Sequence, residues 1–75
     1  MRTYIITNTD DSKDIQIFST VGRAFVALHS IARRYIRNNL FVDIKEIGNK
    51  NLQMLIVDKY CNLINTYYLL EKEIQ

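Results

Sequence analysis

The sequence predicts an α+β domain: an antiparallel sheet of four to five strands with one helix packed on one face, in the order ββαβββ. Three observations carry this. The hydrophobic period changes from two to 3.6 and back to two along the chain. Short clusters of Asn, Asp and Gly separate the period-two segments, and links that short join antiparallel neighbours. The one helical segment has an apolar stripe wide enough to cover a sheet. Seventy-five residues, 48% hydrophobic and 24% charged, make a single domain, 1–75, with a small core.

The elements follow in order. Thr3–Thr7 alternates around β-branched and aromatic residues and reads as a strand. The polar cluster Thr9–Asp14 is a turn. Ile15–Phe18 is a second strand, hairpinned to the first. Ser19 or Thr20 offers a hydroxyl to cap a helix. From Val21 to Asn38 an apolar stripe recurs at helical spacing through Val21, Phe25 or Ala24, Leu28, Ile31, Ala32 and Tyr35. Asn38-Asn39 is the stop, because Asn tolerates the left-handed conformation of a C-terminal cap. Phe41–Ile47 alternates again, with Val42 and Ile44 toward the core and Asp43 and Lys45 outward. Gly48–Asn51 is a hairpin turn. Leu52–Val57 is mostly apolar, which places it near the sheet centre. Asp58–Asn62 is a second turn, with Asn62 suited to positive φ. Leu63–Leu70 is the last strand, and Glu71–Gln75 a polar tail.

The single cysteine, Cys61, excludes an intrachain disulfide, which fits a reducing cytosol. The N-terminus is too polar for a signal peptide, and no apolar run approaches the roughly 20 residues of a membrane span. The expectation is a protein of the cytoplasm, without membrane association.

The net charge of +2 conceals an asymmetry. From Ile15 to Val42 there is no Asp or Glu, yet Arg23, Arg33, Arg34 and Arg37 all lie there. On a helical wheel the four arginines fall opposite the apolar stripe, with Ser30 and Val26 among them. A solvated helix usually interleaves Glu and Lys to gain i,i+4 pairs. This one uses Arg alone, the residue suited to bidentate contacts with carboxylate or phosphate. The functional reading is an electropositive ridge for a partner. The plain alternative is a solvated face whose last cations suit the helix dipole. Tyr67 and Tyr68 point to opposite faces of the last strand, so one is a candidate anchor for the partner. The competing role for such rings is cross-strand packing.

No residue set suggests catalysis. His29 has no Ser, Cys or Asp at a spacing that makes a nucleophilic pair. Asp10, Asp11 and Asp14 lack the ligand pattern of a calcium loop. Cys61 and the lone imidazole do not make a zinc site. The expectation is a non-enzymatic chain with no catalytic residue, metal or cofactor.

The succession Tyr4-Ile5-Ile6, Ile15-Gln16-Ile17, Ser19-Thr20 into the helix, Val42-Asp43-Ile44, Ile56-Val57-Asp58 and Leu63-Ile64 resembles the small phage-encoded anti-CRISPR proteins built as a bent sheet with one helix. The resemblance spans most of the chain as an architecture and transfers no functional residue. It implies a stoichiometric inhibitor that docks on a bacterial defence (CRISPR-Cas) complex. Many such proteins are acidic DNA mimics, whereas this chain has a pI near 8.8. The partner expected is therefore a host protein or ribonucleoprotein complex met through the arginine face. The alternative is a small nucleic-acid-binding protein using the same helix. A homodimer is a further expectation: Leu63–Leu70, apolar and without proline, reads as a sheet edge open to another chain.

Overall fold

In the computed structural model, residues 2–8, 15–48 and 51–73 are described. The elements are β1 (Arg2–Asn8), β2 (Gln16–Phe18), α1 (Val21–Arg37), β3 (Phe41–Gly48), β4 (Asn51–Val57) and β5 (Leu63–Glu73). They form the α+β architecture expected, with all five strands in one antiparallel sheet of order β2-β1-β5-β4-β3. The turn at Thr9–Asp14 lies outside the described residues.

This order overturns the edge assignment. β5 is the central strand, hydrogen-bonded to β1 on one side and β4 on the other. The predicted tail also contributes: Glu71, Lys72 and Glu73 pair with Tyr4, Thr3 and Arg2, and Arg2 meets Glu71 at 3.2 Å. β1 returns to the last strand, and so closes what a simple run of hairpins leaves open. The edges are the short β2 and the longer β3. β4 is interior, one strand from the centre.

Register fixes the two faces. Ile6, Leu69, Met54 and Ile56 point to the helix side, where they are buried against Ala24, Leu28 and Ala32. The i, i+4, i+8 spacing of those helix residues places them on one line, and the two alanines let the helix approach the sheet. Phe25, read as an alternative to Ala24, is exposed, because Ala24 takes the contact position. Ile44 pairs with Met54 and so lies on the helix side as expected, but the helix leaves this edge exposed.

The helix ends behave as the sequence indicates. The Thr20 hydroxyl accepts the Arg23 N–H at 3.3 Å. At the other end Asn39 adopts φ 64°, and the Asn39 and Leu40 N–H groups donate to the carbonyls of Ile36 and Tyr35. That is a Schellman closure, with Leu40 and Tyr35 both packed against the core.

The turn before β5 differs from expectation at one residue. Positive φ falls on Cys61 (64°), not on Asn62. The Asp58 carboxylate decides this. Its Oδ1 accepts the N–H groups of Tyr60 and Asn62, each at 2.9 Å, and its Oδ2 accepts the Asn62 side-chain amide at 3.2 Å. Asn62 is thereby held as a donor, and the residue before it absorbs the reversal. The Asn62 N–H in particular holds the Asp58 carboxyl below the usual aspartate range, against a smaller opposing effect of burial.

Candidate functional site

The arginines divide into two groups. Arg33, Arg34 and Arg37, with Ser30 and Asn38, line a shallow open groove along the C-terminal half of α1. Arg23, about three to four turns earlier, lines a separate and more apolar depression with Phe18, Gly22, Val26 and Ala27. By helical rise Arg23 and Arg37 stand about 21 Å apart along the axis, so they share a face but not a pocket.

All four side chains are exposed, and among the described residues none enters an ion pair. The first turn of α1 has no acid, and Arg34 and Arg37 occupy the last turn. Helix stability thus accounts for the position of two of the four. It does not account for Arg23, which stands at the positive end of the dipole, or for Val26, which is 68% exposed among them. Within the groove, Asn38 is fixed by its amide donating to the Arg34 carbonyl at 2.9 Å, and Ser30 by its hydroxyl donating to the Val26 carbonyl at 2.9 Å. The groove therefore has a preset rim around three exposed cations.

The tyrosines do not join this surface. Tyr67 is buried beneath the helix, 8% exposed, with its hydroxyl 2.9 Å from that of Tyr35. The two rings stand 6.1 Å apart and tilted at 58°, and the Asn65 amide donates to the Tyr35 hydroxyl at 3.1 Å. Tyr67 is thus a core residue and presents no surface to a partner. Tyr68 is half-buried on the opposite sheet face and accepts from the Gln53 amide at 3.2 Å. One flat interface cannot hold both the arginine face and Tyr68, because the sheet lies between them.

Two features escaped the sequence reading. Asn65 completes the polar cluster under the helix; a lone Asn inside an apolar strand is the signal that marks it. β3 remains exposed at seven of its eight residues although it belongs to the sheet. Among the described residues, no group of His, Cys, Asp and Glu could hold a metal ion. No helix among them is long and apolar enough to cross a membrane. The chain matches no family model, and it has no significant match among curated proteins or solved structures.

Proposed function

We propose that the chain is a non-enzymatic interaction module that docks through the outer face of α1 on an anionic surface of a macromolecular partner. The observation that carries this reading is the set Arg23, Arg33, Arg34 and Arg37, exposed, without ion pairs among the described residues, on a helix that has no acid. A helix selected only for solubility gains from paired charges of both signs. This one has no acid of its own to compensate its cations, which favours long-range attraction to an anionic surface. The architectural resemblance to phage-encoded inhibitors supplies the partner class: a bacterial CRISPR-Cas ribonucleoprotein complex in the cytoplasm of a host cell.

The test is binding to such complexes, purified with their guide RNA, by the wild type and by Arg33→Glu/Arg34→Glu. Two lost surface attractions and two new repulsions should weaken binding by roughly tenfold or more. Both side chains are exposed, so the thermal midpoint should barely move. Undiminished binding by the double variant would refute the arginine face. The nucleic-acid reading draws on Asn38, whose amide spends one of its two N–H groups on the Arg34 carbonyl and keeps the other at the rim of the groove, where a phosphate could accept it. It is distinguished by binding to free DNA or RNA that falls steeply with salt.

A further inference from the structure

We infer that β3 is a pairing edge for a second copy of this chain, joined antiparallel about a two-fold axis at Ile44 to make one continuous ten-stranded sheet. This inference is independent of what the arginine face binds.

Among the described residues β3 is an edge strand, bonded to β4 on one side only. It is regular from Phe41 to Glu46, and a bulge follows between Glu46 and Gly48. Unpaired edges of this length are normally guarded by proline, by charge or by a covering element. Here there is no proline, and Phe41 (59%), Ile44 (39%) and Ile47 (47%) are exposed beside the charges. The helix flank above the start of the edge is also apolar and exposed: Ile36 lines a depression with Leu40, Phe41 and Val42.

The charges select the register. When two identical edges pair antiparallel in one sheet, the two-fold axis is perpendicular to the sheet. Both helices then lie on the same side, and each residue meets one of its own parity. Centred on Ile44, the pairing sets Asp43 opposite Lys45 of the second copy, twice by symmetry, and Ile44 opposite itself. Asp43 and Lys45 already lie 3.7 Å apart on their own strand, so the four side chains form an alternating cluster. The neighbouring registers of the same parity put Asp43 opposite Asp43, or Lys45 opposite Lys45, and are penalised by like charge. The edge charges that would repel a foreign strand thus complement this one in a single alignment. Phe41 of each copy is brought up to the bulge at Ile47 of the other.

The experiment is sedimentation equilibrium of the wild type across a concentration series, beside Asp43→Lys, Lys45→Asp and the combined Asp43→Lys/Lys45→Asp exchange. Circular dichroism confirms the fold of each. The wild type should approach twice 8.9 kDa. Each single reversal turns two cross-strand attractions into repulsions and should weaken dimerisation by roughly tenfold or more. The exchange variant should restore it. A second arm places one cysteine on the edge in a Cys61→Ser background. Ile44→Cys should cross-link to its counterpart on oxidation, and Glu46→Cys should not. A wild type that stays monomeric, a dimer indifferent to the three charge variants, or cross-linking through position 46 in preference to 44 would each overturn the inference.

Discussion

Replacing Tyr67 and Tyr68 one at a time tests the register on which every face assignment rests. The two are neighbours in β5 and similar in chemistry, yet they lie on opposite sides of the sheet. The Tyr67 ring fills space beneath α1 and opposes Met54 and Asn8 in register. Cutting such a ring to alanine leaves a cavity that a sheet and helix cannot close fully, and the cost is about 3–5 kcal/mol. A domain of this length has a total stability of about 4–11 kcal/mol, so Tyr67→Ala should remove much of it. Tyr68→Ala gives up a half-buried ring and the bond from Gln53, a loss of about 1–2 kcal/mol. Denaturant unfolding followed by circular dichroism measures both, with unchanged slopes as the check on two-state behaviour. Tyr67→Phe isolates the hydroxyl and should cost about 0.5–1.5 kcal/mol. If Tyr68→Ala destabilised as much as Tyr67→Ala, β5 would be out of register by one residue and the two faces would be exchanged.

Two further outcomes concern the turn before β5. Cys61 holds a left-handed conformation that favours glycine, so Cys61→Gly should raise stability by about 0.5–1 kcal/mol, whereas Cys61→Val should lower it; denaturation midpoints decide the sign. Asp58 has a lowered pKa in the folded chain, so its contribution is fully present above the unfolded value of about 3.9 and is lost as pH falls through the lower folded value. Asp58→Asn keeps an acceptor but does not titrate, and its stability should fall less than that of the wild type between about pH 5 and pH 2.

Local chemistry was legible wherever a residue acts on its own neighbours. Thr20 caps the helix and Asn39 reverses the chain after it, because capping depends on backbone groups within a few residues. The apolar stripe on α1 was legible for the same reason, except that Ala24 and not Phe25 makes the close contact and that Val21, at the start of the helix, is left exposed. At Asp58–Asn62 the turn was legible but the left-handed residue was displaced by one, since the Asp58 side chain claims Asn62 as a donor. The arginine face was visible as a run without acids. That Arg23 stands apart from Arg33, Arg34 and Arg37 depends on which neighbours line each depression. The choice between Tyr67 and Tyr68 was also out of reach, because alternation says that two residues differ in face but not which face the helix covers.

The sequence by itself determined the number, type and order of the elements, the ends of the helix, and the separation of its apolar and cationic sides. All of these follow from periodicity and from contacts a few residues long. Only the tertiary structure decided that β1 pairs with β5, which makes β5 the centre of the sheet and β3 an edge. That pairing joins residues about as far apart as the chain allows, Arg2 with Glu73 at its limit. Strand order is a property of how the hairpins are laid side by side, and no local pattern encodes it.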